Sequence, residues 1–69
     1  DGTNIGTATP GAGTFSALTT TGDHIRIDTS QTPASSSASG TKGEIAYDSN
    51  YIYVCVATNT WKRVALSTF

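Results

Sequence analysis

Cysteine and histidine each occur once in this chain of 69 residues, and methionine does not occur at all. A single cysteine, Cys55, leaves no intrachain disulfide to form. With His24 as the one imidazole, a Cys/His zinc site of ordinary ligand spacing cannot be assembled from one chain either. Charge is also scarce. Four Lys/Arg against five Asp/Glu give a formal net charge of -1, with no run of like sign, so electrostatic capture of nucleic acid or of an anionic membrane is not expected. No apolar stretch approaches the roughly 20 residues of a spanning helix, and no basic-then-apolar leader opens the sequence. The lack of an initiating methionine leads to the expectation that the chain is either processed or the ordered part of a longer polypeptide, the second being favoured.

Size adds a further constraint. A chain shorter than roughly 70–80 residues rarely draws more than about 3–5 kcal/mol from its own core without a staple. Disulfide and single-chain metal being excluded, and cyclisation having no signature, oligomerisation is the staple that remains. Ile, Leu, Val and Phe make up 12 of the 69 residues, below the ~20% associated with disorder. Disorder normally couples low hydrophobicity to high net charge, however, and here net charge is low while Thr, Val, Ile and Tyr favour strands.

What large side chains there are lie mostly at one end. Positions 43–69 hold five of the six aromatics, all three valines and Cys55. Residues 1–28 carry sparse apolar residues among glycines and threonines: Pro10-Gly11 and Gly11-Ala12-Gly13 read as turns, and Thr14 to Thr20 as a short strand. After Gly22, His24 to Asp28 alternates with period two, predicting a half-buried strand with Ile25 and Ile27 inward and His24, Arg26 and Asp28 outward. Residues 29–42 contain nothing apolar larger than Ala34, Ala38 and Pro33, and read as a surface loop or linker. The 43–69 module reads as an antiparallel meander: Glu44 to Asp48, a turn at Asp48-Ser49-Asn50, Tyr51 to Ala57, a turn at Thr58-Asn59-Thr60, and Trp61 to Ser67. YIYVCVA has no polar face, so it is expected to be central and covered on both sides. Ile45, Val54, Val56, Val64 and Leu66 are expected to fill the core. No helix-period stripe is present.

Chemistry-bearing motifs are near misses. Gly11-Ala12-Gly13-Thr14 opens like a dinucleotide fingerprint, but Ser16 replaces the third glycine and no strand-to-helix context follows. Ser39-x-x-Lys42 has the spacing of an acyl-transfer motif without its helix or companion motifs. Asp23, His24 and Asp28 form no supported cation cluster, although three copies of His24 around a symmetry axis would converge on an ion. Cys55 between valines reads as a small buried hydrophobe. Tyr51, Tyr53 and Trp61 are the candidate ligand contacts, because aromatic faces stack on the apolar faces of sugars; in a core this small, packing is the competing role. Lys62-Arg63 reads as edge-strand solubilisation.

Gly6-x-x-x-Pro10-Gly11-x-Gly13-x-Phe15-x-x-Leu18-Thr19-x-x-Gly22 resembles a recurrent segment of bacteriophage fibre and virion appendage proteins that leads into trimeric β-structure. Pro33-Ala34-Ser35-Ser36, Gly40-x-x-Gly43-Glu44-Ile45-Ala46-Tyr47-Asp48, Tyr51 to Cys55 and Asn59-Thr60-Trp61-Lys62-Arg63 are similar to a C-terminal module of marine and cyanobacterial phage structural proteins. Between them the two patterns cover nearly the whole chain, and the closing Ser67-Thr68-Phe69 reads as a C-terminus.

The resemblance implies an all-β, intertwined homotrimer, with an extended N-terminal β segment (1–28) of triple β-helix or β-prism type, a linker (29–42) and a small antiparallel β-meander head (43–69). Ile5, Phe15, Leu18, Ile25 and Ile27 are then the trimer-packing residues. The expected function is a structural component of the virion, a fibre, spike tip or decoration, serving host attachment or surface display. It would have no enzymatic activity, catalytic residue, cofactor or metal, and its partners would be copies of itself, other virion proteins and a host-surface glycan or receptor. The alternative is a saccharide-binding module using Tyr51, Tyr53 and Trp61 on host-surface glycans.

Overall fold

The computed structural model describes residues 13–69. Expectations that fall on residues 1–12, including Ile5 and the Pro10-Gly11 turn, lie outside the described residues. Within them the regular structure is one antiparallel sheet of three strands in sequence order, β1 (Ile45–Tyr47), β2 (Tyr51–Ala57) and β3 (Thr60–Ala65). The fold is all-β, and β2 is central as its composition predicted.

Both hairpins follow from their turn residues. In the first, the Asp48 carboxylate accepts the backbone N–H groups of Asn50 and Tyr51 through Oδ1, at 2.8 and 2.9 Å. This is the local side-chain bond that makes Asp a turn former. In the second, Asn59 takes the left-handed conformation (φ 53°), which Asn tolerates better than most residues. Next to it the β2–β3 register shifts between Cys55 and Ala57, a bulge that leaves Val56 as the extra residue on β2.

Register and the two-residue alternation of strands define two faces. On one lie the rows Ala46–Tyr53–Arg63 and Cys55–Trp61, with Tyr51 opposite Ala65; on the other, Ile45–Val54–Lys62 and Tyr47–Ile52–Val64. The first face is the core. Tyr53 is 5% exposed and Cys55 0%, and they are the two buried hydrophobic residues of the described chain.

The cover for that face comes from the stretch read as a linker. Gln31 N–H donates to the Tyr47 carbonyl (2.8 Å), Trp61 N–H to Ser36 (2.8 Å) and the Trp61 indole Nε1–H to Ala38 (3.0 Å). The segment thus crosses from β1 to β3. It ends on the second hairpin in a reciprocal clasp, with Asn59 N–H donating to the Gly40 carbonyl (2.9 Å) and Gly40 N–H to Asn59 Oδ1 (3.0 Å). Gly43 follows with φ 98°, a conformation available to glycine at little cost. It re-enters the ladder by donating to the Cys55 carbonyl at 2.7 Å.

Three expectations are corrected here. The valine face is not the core: Ile45 and Val64 are each 60% exposed, with Val56 and Leu66 exposed as well. The covering segment lies on the opposite face, so β2 is covered on one side only. Residues 14–20 and 24–28 form no strand, and so the described part of the extended N-terminal segment has no β-structure. Alternation supplies a surface that suits a strand, but a strand also needs a hydrogen-bonded neighbour, and a single chain offers none here. Residues 24–27 instead lie beside β1, where the Tyr47 hydroxyl donates to the Ile27 carbonyl at 3.0 Å, with Ile25 still 77% exposed.

Gly40 makes the tightest approach in the core. A Cβ at this position would stand 2.7 Å from Trp61 Cζ2 and 2.9 Å from Cys55 Sγ. Gly40→Ala is therefore expected to destabilise the fold by roughly 1–3 kcal/mol, the usual cost of overpacking. Gly22→Ala, which meets nothing within 4 Å, serves as the control. Urea denaturation followed by Trp61 fluorescence measures both, and equal midpoints for the two variants would show that the segment is not packed as described.

Candidate functional site

The three aromatics picked out as ligand contacts share one face but not one environment. Tyr53 is buried, and its hydroxyl donates to Asp48 Oδ2 at 2.5 Å. Tyr51 is half-buried, with its ring 5.9 Å from that of Tyr53, and carries the Arg63 guanidinium 4.1 Å above its centroid, a cation–π geometry. Trp61 is half-buried, its indole N–H held by the covering segment. Of the three, Tyr53 and Trp61 line a common groove and Tyr51 flanks it through Arg63.

That groove, of about 170 Å³, runs between residues 33–36 of the covering segment and Tyr53, Trp61, Lys62 and Arg63. It combines an aromatic floor, serine hydroxyls and the Arg63 cation, the mixture of apolar surface and a few converging polar groups that marks a binding cleft. Its volume is below the roughly 300–1,000 Å³ of drug-sized pockets, which suits a single small unit of a longer ligand. A larger space of about 580 Å³ lies between residues 24–27 and the Ile45–Tyr47 and Ile52 side of the sheet, but its lining is almost wholly apolar. Arg63, read from the sequence as edge-strand solubilisation, lines the groove instead, together with the serines. The Trp-Lys-Arg order was visible, but not the segment that would stand opposite it.

The remaining candidates are dispersed. His24 Nδ1–H donates to the Gly22 carbonyl at 2.7 Å, and Asp28 pairs with Arg26 at 2.9 Å on an exposed surface. Cys55 Sγ–H points to the Ala57 carbonyl at 3.1 Å. Among the described residues no three His, Cys, Asp or Glu side chains gather as a metal site. Phe15, Leu18, Ile25 and Ile27, named for trimer packing, are all exposed in the single chain.

Comparison with known proteins places part of the chain among bacteriophage proteins. Over 37 residues it is 76% identical to "Depolymerase 1, capsule K30/K69-specific" of Klebsiella phage K5-2, and over 37 residues 43% identical to "Depolymerase, capsule K30/K69-specific" of Klebsiella phage K64-1. Each match covers 54% of this chain and 5% of the relative, so the matched stretch is about one-twentieth of the relatives' length. No protein-family model and no solved structure matches the chain.

The chain is thus related to bacteriophage capsule-specific depolymerases, and two expectations are corrected. Neither a purely structural virion component nor a protein without enzymatic activity fits relatives named for depolymerisation. The physical reason lies in scale. The sequence pattern bears on 69 residues alone, whereas the proteins matched are some twenty times longer than the match, and a segment that size need not carry the reacting groups. Both relatives come from Klebsiella phages, so they carry no support for the finer marine or cyanobacterial assignment.

The groove's inner wall depends on an ionised Asp48. Four donors converge on it, with Thr32 Oγ1 (2.6 Å) and Tyr53 OH on Oδ2 and the Asn50 and Tyr51 amides on Oδ1. Thr32 most of all, then Tyr53 and the Asn50 amide, hold the Asp48 carboxyl well below its ordinary value near 3.8, and the bond to Asp48 pushes the Tyr53 hydroxyl up from 10.0. Linkage sets the signs. The lowered Asp48 contributes stability that is complete above its unfolded value and is lost as pH falls below about 3.8 through the folded value. The raised Tyr53 contributes stability that is complete below 10.0 and is lost as pH rises through its folded value. Asp48→Asn is expected to lower stability at neutral pH and to flatten the acid limb of a stability–pH curve measured by thermal unfolding. An acid limb as steep as the wild type's would overturn this.

Proposed function

We propose that the chain is a segment of a bacteriophage polypeptide that depolymerises capsular polysaccharide, and that these residues hold saccharide while other parts of the polypeptide cut it. The 76% identity over 37 residues to a K30/K69-specific depolymerase carries the reading. Two features of the segment agree with the division of labour. The aromatic, hydroxyl and cationic lining of the groove is the chemistry of sugar contact. The most perturbed carboxylate, Asp48, has its oxygens engaged by four donors, an arrangement that holds a hairpin and does not leave it poised to exchange protons with a glycosidic oxygen.

In the same reading the polypeptide works outside the host cell, on the virion or released from it, and assembles as a homotrimer. The trimer is supported by the shortage of core: two buried hydrophobic residues in the described chain are too few for a domain of this size to stand alone. Phe15, Leu18, Ile25 and Ile27 and the Ile45, Ile52, Val64 face offer the apolar surface that copies would cover.

Two measurements check the two parts. Incubated with purified K30 or K69 capsular polysaccharide, the whole polypeptide is expected to shorten the polymer and release new reducing ends, with an unrelated capsule left intact; an unchanged chain-length distribution would sink the depolymerase reading. Native mass spectrometry at micromolar concentration is expected to give three times the single-chain mass. A monomer would remove the trimer and leave the depolymerase reading untouched.

A further inference from the structure

We infer that the groove beside Trp61 takes a carboxylate-bearing sugar unit, such as a uronic acid residue, with Arg63 as its anion contact. The inference rests on the polysaccharide reading above and assigns the class of sugar.

Charge placement carries it. The described chain holds four Lys/Arg side chains. Arg26 is paired with Asp28, Lys42 lies outside the groove lining and Lys62 falls on the opposite, valine-bearing face, so Arg63 is the groove's cation, and it forms no ion pair among the described residues. The carboxylates in the same head are engaged elsewhere: Asp48 by its four donors, and Glu44 by the Thr41 amide, which donates to Oε2. An unpaired guanidinium in a groove whose lining holds no carboxylate is a local positive site in a chain of net charge -1.

Shape specifies the ligand further. Arg63 is held over the Tyr51 ring at 4.1 Å, which orders the guanidinium without neutralising it. Its planar fork then remains available for paired N–H bonds to a carboxylate. The Trp61 N–H is already donated to Ala38, so the indole offers the groove its apolar ring surface, suited to the C–H face of a pyranose. On the opposite wall the Ser35 hydroxyl is engaged by Ser37, and Ser36 is the serine whose hydroxyl matches the sugar's own.

The test uses the whole polypeptide and two forms of K30 or K69 capsular polysaccharide fragment, native and carboxyl-reduced, with binding read by calorimetry. Carboxyl reduction is expected to weaken binding to the unmutated protein about ten-fold or more, the effect of losing one charge-assisted contact. Arg63→Gln is expected to lose a similar factor on the native fragment and almost none on the reduced one, and Arg63→Lys to recover part of it. Equal binding of native and reduced fragments by the unmutated protein would overturn the inference, even if the variant failed to fold. So would an Arg63→Gln protein that binds the native fragment as the wild type does. If the polymer is shortened in either of these cases, the inference fails and the depolymerase reading stands. An unmutated protein that neither binds nor shortens the polymer overturns both.

Discussion

The fold depends on one contact, the crossing of residues 31–40 over the Tyr53–Cys55–Trp61 face of the sheet. Three strands of three, seven and six residues do not make an independently stable sheet unless a face is covered. The crossing segment provides that cover with little side-chain volume of its own. Its alanines, serines and glycine bring the backbone close, so that carbonyls of Ser36 and Ala38 reach the Trp61 amide and indole while Gly40 sits against the ring and the thiol. Larger side chains would hold the segment away from the sheet.

The candidate site is a by-product of the same crossing. Residues 33–36 form one wall because 31 and 40 are anchored at opposite sides of the sheet, and Trp61 is both core and groove floor because its ring packs against Gly40 and also lines the groove. Asp48 ties the arrangement together from the first hairpin, bonding the turn, the Tyr53 hydroxyl and Thr32 at the start of the crossing. Stability and binding surface therefore share residues, and substitutions at Trp61 or Tyr53 would confound the two.

The other face has the opposite character. Ile45, Ile52, Val56 and Val64 remain exposed, a contiguous apolar surface of the kind that marks an interaction site in a soluble protein. Its existence fits the proposed reading, in which the chain is a segment of a longer polypeptide; the stretch it shares with the relatives is 5% of their length. In that reading the energetics of the segment are completed by its surroundings, whether other copies or other parts of the same polypeptide.

Much of the meander was legible in the sequence. Asp48-Ser49-Asn50 and Thr58-Asn59 marked the turns, and YIYVCVA between them had to be the central strand, because turn chemistry and alternation are local properties of neighbouring residues. Local pattern could not tell which face would be covered: with Tyr53 and Cys55 on one side and Val54 and Val56 on the other, both looked fit for a core. Nor could it show that His24 to Asp28 would lack a strand partner, or that Arg63 would face Pro33 and the serines. Composition and turn residues determined an all-β meander with too little core for its length. Only the tertiary structure decided which face closes and where a binding groove opens, because both depend on where residues 31–40 cross the sheet, some twenty residues in sequence from the side chains they cover.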